Sequence, residues 1–369
     1  MKPLSVAFDH QVFDFQRYGG ISRYFVETAT ELAREPSCEV AIVAPLHMNE
    51  YLRAVQPPVH GPALYVGGVP KSRRFSRAVN SLLVPTLLRQ RRPDIVHRTY
   101  YAANQPPVRG ARTVITVYDL IYERMGQAMV HDPLVRDKRA AIAAADHAIC
   151  ISESTRRDLI ELFDVDPQRT SVVHLGFSLM PGQPGPAAAL PGREFILYVG
   201  LRGKYKNFQG LLDAYAASSR LRDRFDIVCF GGGPFSAEEL AAIAAAGART
   251  GAVVQRGGDD GVLQQMYRHA AVFVYPSLYE GFGIPLLEAM SFNCPVVCCP
   301  VASMPEVVGD AAAFFDANET DSLVRAIERV TEDATFRAGL VQRGTARLAH
   351  FSWQRCADET LQVYRRLLA

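Results

Sequence analysis

The stretch Tyr275-Pro-Ser-Leu-Tyr-Glu-Gly-Phe-Gly-Ile-Pro-Leu-Leu-Glu-Ala-Met290 decides how the rest of the chain is read. An apolar run, Ala271-Val-Phe-Val-Tyr275, leads into it and reads as a buried strand. Gly281-Phe282-Gly283 then makes a turn, and Pro285 stands where a first-turn proline is welcome, because its missing N–H would be unpaired anyway. A short helix follows from Ile284, stopped by Ser291 and Asn293 before a second strand at 295–298. The spacing predicts strand, glycine turn, helix, strand. Helix-start N–H groups at Gly281, Phe282 and Gly283 form a seat for an anionic or hydroxyl-rich ligand. Glu280 precedes them, where the helix dipole favours its ionised form. Glu288 lies about 6 Å along the axis from Ile284, at about 1.5 Å per residue. Two carboxylates so placed grip the two ends of an elongated ligand, or else are a surface glutamate and a solvated helix glutamate.

Working outward, short continuous apolar runs alternate with helical patterns along the whole chain. Strands are expected at 4–9, 39–43, 94–97, 113–118, 147–151 and 171–174. A second set is expected at 195–199, 226–230, 252–255, 271–275, 295–298 and 312–315. Continuous apolar strands separated by helices mean parallel sheets covered on both faces. A Pro/Gly-rich linker, 176–192, separates the sets. The expected fold class is therefore α/β, with two doubly wound Rossmann-like domains and a ligand cleft between them at the carboxyl ends of both sheets. The expected division is 1–178, a hinge at 179–192, 193–350, and a last helix at 351–369. Ser352 is the expected N-cap of that helix.

Composition narrows the class. The chain has 369 residues, 49% of them apolar and 21% charged, as in ordinary globular proteins. A net charge of +2 gives no bulk electrostatic case for nucleic acid. Seven scattered cysteines, an odd number without zinc-site spacing, suggest buried reduced thiols and a cytoplasmic setting. The N-terminus reads as a first strand rather than a signal peptide, and no apolar run reaches the roughly 18 residues that span a bilayer.

Other glycine and basic turns fall at expected strand ends. Gly19 and Gly20 open a helix near the N-terminus, either a ligand-approach turn or a plain loop. Tyr118 and Asp119 end the strand at 113–118, and His97 ends another, as a site-edge residue or a satisfied structural histidine. Arg202, Lys204 and Lys206 crowd a glycine-bearing turn, where cations suit a departing diphosphate. Gly231, Gly232 and Gly233 follow the next strand. Asp164-Val-Asp166 lies in a connection away from any strand's carboxyl end and reads as turn chemistry, so no metal is expected.

Taken together, Glu280-x7-Glu288 with Pro-Ser before it and Gly-Phe-Gly-x-Pro inside it strongly resembles the retaining nucleotide-sugar glycosyltransferases of family 4. The resemblance covers nearly the whole chain and is strongest over 195–310. It implies the GT-B fold, with the last helix crossing back to the first domain. It implies that Glu280 contacts the donor sugar, Glu288 binds the ribose hydroxyls, and Lys206 with Arg202 holds the diphosphate. It implies further that Gly19 and Gly20 face the diphosphate across the cleft, and that 259–267 lies beside the base. The family's usual His-Asp pair is Tyr118-Asp119 here; a phenol with a pKa near 10 is a poor base at neutral pH, which puts a proton-carrying role in doubt.

The expected activity is retaining, metal-independent transfer of a sugar from a nucleoside diphosphate sugar, GDP-mannose or a related GDP-sugar, with no cofactor. The acceptor would be a saccharide or a lipid-linked intermediate of surface polysaccharide or lipopolysaccharide. Two alternatives are a sugar-nucleotide epimerase or hydrolase, and a catalytically silent nucleotide-sugar-binding protein. Residues 71–92 hold seven basic and no acidic side chains. On a helical wheel Phe75, Val79, Leu82 and Leu83 form one face, expected to pack on the domain's own sheet. Arg73, Arg74 and Arg77 lie opposite, open to an anionic membrane surface at the inner face of the cytoplasmic membrane.

Overall fold

The computed structural model describes residues 2–55, 59, 63–67, 72–103, 105–126, 132–177 and 190–369. Residues 179–189 of the expected hinge, and Lys71, lie outside the described residues. The chain divides into two compact units, Met1–Gly176 with Phe351–Ala369, and Phe177–His350.

The first unit contains β1 (Leu4–Phe8), β2 (Cys38–Ile42), β3 (Leu46–His47), β4 (Leu64–Tyr65), β5 (Ile95–Arg98), β6 (Arg112–Val117), β7 (His147–Cys150) and β8 (Thr170–Val172). Six of these form a parallel sheet in the order β2-β1-β5-β6-β7-β8, and β3 and β4 pair apart from it. The second unit contains β9 (Phe195–Val199), β10 (Asp226–Phe230), β11 (Val253–Arg256), β12 (Val272–Tyr275), β13 (Val296–Cys298) and β14 (Ala312–Phe314), in the order β11-β10-β9-β12-β13-β14. Every expected strand is present; β3 and β4, two residues each, are too short to leave a period in the sequence. The sheets are parallel because their strands are apolar on both faces, as in Val6-Ala7-Phe8 and Val272-Phe273-Val274, all fully buried.

In each sheet the chain first builds outward on one side and then crosses back to the other. The reversal falls between β1 and β5 in the first sheet and between β9 and β12 in the second. Open α/β sheets bind ligands outside the carboxyl ends of the strands at such a reversal, where the flanking loops part in opposite directions. Asp9 and Thr99 thus sit at one reversal, Lys206 and Glu280 at the other.

The helix Trp353–Leu368 belongs to the first unit. Its Tyr364 hydroxyl meets His97 Nδ1 at 2.5 Å, and Cys356 Sγ lies 3.8 Å from Thr28 Oγ1. His97 Nε2 also meets Thr116 Oγ1 at 2.8 Å, and burial pushes the imidazole down to about 3. His97 is thus a neutral structural residue. All seven cysteines are buried free thiols.

The helix Ser72–Arg91 corrects the helical-wheel reading. Its buried residues are Ser76, Asn80, Val84 and Leu88, whereas Phe75 is 62% and Leu82 76% exposed, with Leu83 exposed as well. Asn80 decides the orientation. Its Nδ2 donates to the Leu46 carbonyl at 2.6 Å and to Asp14 Oδ1 at 2.7 Å, while its Oδ1 accepts from Leu46 N at 3.0 Å. A satisfied buried amide outweighs a wheel drawn on hydropathy alone, because leaving those groups unpaired would cost about 1–3 kcal/mol each. Among the described residues no helix is long and apolar enough to cross a membrane.

Candidate active site

In the second unit the turn after β9 and the turn after β12 bring two expected residues together. Lys206 Nζ lies 2.6 Å from Glu280 Oε1 and 3.4 Å from the Tyr275 hydroxyl, with both charged side chains largely buried. Local geometry fixes each partner. Asn207 adopts the left-handed conformation (φ 51°) and caps the helix Phe208–Ala217 by accepting from Gly210 N at 3.2 Å. That sharp turn sets Lys206 at the carboxyl end of β9, just before the helix. Glu280 is held through its backbone, since the buried Ser303 hydroxyl is shared between the carbonyls of Glu280 (2.9 Å) and Phe282 (3.0 Å). Gly281 and Phe282 are buried in this turn. Gly283, at φ 98°, is the N-cap of the helix Ile284–Ser291; a Cβ there would approach Leu286 Cδ1 at 2.9 Å and adopt a backbone that L residues avoid.

Glu288, on that helix, accepts from the Tyr267 hydroxyl at 3.1 Å. Tyr267 is buried, stacked on Phe292, and its phenol is held well above its usual range by burial and then by the Glu288 charge. It stays a donor and so keeps the carboxylate oriented. Tyr275 is likewise raised, by burial and then by Glu280.

Arg202 has partners other than those expected. Its Nε donates to Glu239 Oε1 at 2.7 Å, and its guanidinium reaches the carbonyls of Gly231 (3.2 Å), Gly232 (3.3 Å), Gly233 (3.0 Å) and Pro234 (3.1 Å). All three nitrogens are engaged within the unit, and the side chain is 3% exposed. Gly231, Gly232 and Gly233 are all left-handed (φ 84°, 71°, 71°), so three successive carbonyls curl onto the cation. A Cβ on Gly232 would strike Arg202 Nη1 at 2.6 Å. Arg202 shapes the glycine turn from beneath instead of presenting itself freely to a diphosphate. The Lys204 side chain is outside what the structure describes.

The remaining expected residues belong to the first unit. Gly19 is the N-cap of the helix Gly20–Leu32, and Gln16 Oε1 accepts from Ser22 N in that first turn at 3.0 Å. Tyr118 is corrected from its catalytic assignment. It is buried among Tyr24, Phe25 and Tyr101, its hydroxyl is directed at the Thr99 carbonyl 3.5 Å away, and burial raises its phenol well above 10. A side chain so enclosed is a core residue, not a proton carrier. Asp119 accepts from Ile121 N at 3.2 Å and starts a short helix. Asp164 ends a helix in the left-handed conformation and Asp166 caps the turn Pro167–Arg169. Among the described residues no three His, Cys, Asp or Glu side chains gather as a metal site would.

Ser303 and Glu239 were not singled out in the sequence as site residues, and Tyr267 only as the end of the stretch 259–267. A lone serine, tyrosine or glutamate carries no spacing signal, and only the fold shows each beneath a residue that does.

Two doubly wound parallel sheets are the architecture of the GT-B fold. The comparisons with known proteins agree. Residues 18–180 match the family described as Glycosyltransferase Family 4, and residues 186–347 match Glycosyl transferases group 1. The O-antigen chain mannosyltransferase B of Escherichia coli is 32% identical over 274 residues, covering 71% of this chain and 72% of that protein. The serotype-specific mannosyltransferase WbdA of Escherichia coli is 28% identical over 275 residues, 70% of this chain but only 34% of WbdA. Among solved structures, sucrose-phosphate synthase from Thermosynechococcus elongatus superposes with a TM-score of 0.72 at 19% identity, covering 99% of both chains. Anabaena Alr3699/HepE in complex with UDP and glucose gives 0.72 at 16% identity, covering 98% of this chain and 100% of that one. The chain belongs to glycosyltransferase family 4, the glycosyl transferases group 1, and is a glycosyltransferase.

Proposed function

We propose that the chain transfers mannose, or a related sugar, from its GDP-sugar to a saccharide or lipid-linked hydroxyl acceptor of a bacterial surface polysaccharide, with retention at the anomeric carbon. The observation that carries this is the contact between Lys206 and Glu280 at the second sheet's reversal, with Glu288 on the next helix. Similarity to the O-antigen chain mannosyltransferase B supports mannose. In the reaction the bond from the anomeric carbon to the diphosphate oxygen breaks, and its electron pair leaves with the diphosphate. Lys206 turns from Glu280 to that growing charge, whose stabilisation in a water-poor site is the largest contribution a fixed cation makes. Glu280, released, faces the sugar as positive charge develops on it. The acceptor hydroxyl attacks on the same face and passes its proton to the departing phosphate oxygen. Glu288, oriented by Tyr267, holds the ribose hydroxyls. No divalent ion is required in this scheme.

A thermal-shift panel of UDP-, GDP-, ADP- and dTDP-sugars reads the donor, because a ligand that binds only the folded state stabilises it. GDP-mannose is expected to give the largest shift. NMR of the product with and without an acceptor alcohol then separates transfer from epimerisation or hydrolysis, and an inverted anomer would sink the retaining scheme. Activity should survive excess chelator; loss restored by manganese or magnesium would overturn metal independence.

The same reading puts the chain in the cytoplasm against the inner membrane surface, where a lipid-linked acceptor would be found. Phe75, Leu82 and Leu83 face outward on a helix that carries Arg74 and Arg89 and no acidic residue. An exposed apolar face flanked by cations fits anionic lipid. Co-sedimentation with anionic vesicles should exceed that with neutral ones and fall in Phe75→Ser/Leu82→Ser/Leu83→Ser. Equal recovery in all four samples would remove the membrane from the picture.

A further inference from the structure

Beside Lys206 and Glu280 stands a third side chain to which the transfer scheme gives no part. Tyr275 closes β12, and its ring lies 5.6 Å from that of Phe273, since alternate residues of a strand share a face. The glycine turn passes over this ring: a Cβ on Gly283 would come within 3.7 Å of Tyr275 Cε1. Tyr275 is 2% exposed, yet it carries a hydroxyl to the place where β9 and β12, paired in the sheet, bring their turns together. Leu278 N donates to the Tyr205 carbonyl at 2.7 Å and ties those two turns to each other.

The hydroxyl lies between the two charges. Lys206 Nζ donates to it at 3.4 Å, a long bond beside the 2.6 Å contact that the same ammonium makes with Glu280 Oε1. A phenol that accepts one hydrogen bond still has its own proton to give. Burial, then the Glu280 charge and the phenol's hydrogen bond to that carboxylate, hold Tyr275 well above its usual range, so the proton stays on its oxygen. Aromatic rings also flank the cation, with Lys206 Nζ 5.4 Å from the Tyr275 centroid and 5.2 Å from that of Tyr205. An ammonium over two ring faces keeps part of its stabilisation when it swings away from its carboxylate. The carboxylate has no such help. The Glu280 side chain is only 9% exposed, and a charge that loses its counter-ion at such depth is costly unless hydrogen bonds replace it. Tyr198, a buried phenol on the neighbouring strand, offers the contrast: its hydroxyl donates to the Leu201 carbonyl at 2.7 Å and serves the backbone instead.

We propose that Tyr275 is a positioning residue for Glu280: as Lys206 turns to the departing diphosphate, the Tyr275 hydroxyl keeps hold of the carboxylate, so that Glu280 stays charged and aimed at the sugar. The proposal rests on the transfer scheme and adds to it the group that takes over where Lys206 lets go. No proton changes hands. While the donor is merely bound, ammonium and phenol share the carboxylate; once the ammonium has left, the phenol bears more of it. Its worth is therefore greater in the transition state than in the donor complex, and its loss falls on kcat rather than on KM.

A double-mutant cycle in kcat, Tyr275→Phe with Glu280→Gln, tests this on the full chain. The donor is GDP-mannose, or whichever sugar nucleotide the thermal-shift panel selects, the acceptor is octyl mannoside, and turnover is read as nucleoside diphosphate released. Phenylalanine keeps the ring on Phe273, and thermal unfolding of each variant verifies the fold. Tyr275→Phe alone should lower kcat about ten-fold or more, with donor KM within about two-fold. In Glu280→Gln the same change should cost no more than about two-fold, because a neutral amide leaves the phenol no charge to hold and coupled groups do not add. Tyr198→Phe is the benchmark, and its effect on kcat should be the same in both backgrounds. A ten-fold loss from Tyr275→Phe that persists in Glu280→Gln would overturn the proposal and leave the role of Glu280 standing. So would a loss confined to donor KM, or an equally large coupling for Tyr198→Phe. An unchanged kcat in Glu280→Gln itself would bring down the transfer scheme, and Tyr275 with it.

Discussion

The two sheet reversals are built alike and equipped differently. At the second, Lys206 and Glu280 are paired with each other at 2.6 Å. At the first, the charge pair is Asp9 with Arg98, locked by Thr99 and Gln11. In the proposed scheme the second reversal must break a contact to work, whereas the Asp9–Arg98 pair at the first is held in place by buried hydrogen bonds. A site that breaks a contact gains selectivity for a ligand charged enough to compete.

The strongest way to break this comparison is Lys206→Ala. It removes the competed-for cation and strands Glu280, and kcat should fall about 10²–10³-fold, as when a single charge-stabilising donor is lost. Activity within ten-fold of the unaltered enzyme would mean that the pair is structural. Next, Glu288→Ala should raise donor KM by about 1.5–3 kcal/mol, the worth of a hydrogen bond to a charged group, with Glu280→Gln acting mainly on kcat. Identical, purely KM effects from both would erase the distinction between ribose and sugar ends.

The first reversal is sharpened by pH. Burial raises the Asp14 carboxyl from 3.8 to about 7, against the opposing Asn80 hydrogen bond and with help from the Asp9 charge. A raised carboxyl binds its proton more tightly when folded, so its contribution is complete below pH 4 and is lost as pH rises toward 7. Denaturation of the unaltered chain relative to Asp14→Asn should show this, with the difference changing by about 1.4 kcal/mol per pH unit across that window. A pH-independent difference would mean that Asp14 is ionised throughout. The smallest effect belongs to Tyr267→Phe, which frees the Glu288 carboxylate and should raise donor KM by about 1 kcal/mol with kcat unchanged. A change in kcat alone would reassign Tyr267.

The contrast also explains what could be read beforehand. Glu280, the glycine turn and Glu288 lie within nine residues of one another, so their geometry follows from local periodicity, and Lys206 is announced by the glycine turn around it. The strands were legible for the same reason, because burial on both faces leaves an unbroken apolar run. The first reversal draws on residues near 10, 75, 100 and 135, each unremarkable in its own neighbourhood. Their meeting is long-range, and the orientation of the helix Ser72–Arg91 depended on one asparagine finding the β3 backbone. Tyr118 was legible as a strand end; that the phenol turns into the core depends on Tyr24, Phe25 and Tyr101 arriving from elsewhere. The partner of Arg202 was illegible for the same reason, since Glu239 is 37 residues away.

A ribosome delivers the first unit's strands long before it delivers the helix that covers them. Tyr24, Thr28 and His97 must wait for Trp353, Cys356 and Tyr364 until all of Phe177–His350 has been synthesised. Throughout that interval a buried face of the nascent unit is open to water, the condition in which multidomain chains aggregate or need chaperones. A stop codon just before Trp353 would therefore leave both sheets encoded and yet deprive the cell of a usable first half. The final sixteen-residue helix acts as the closing clasp of a domain begun more than three hundred residues earlier.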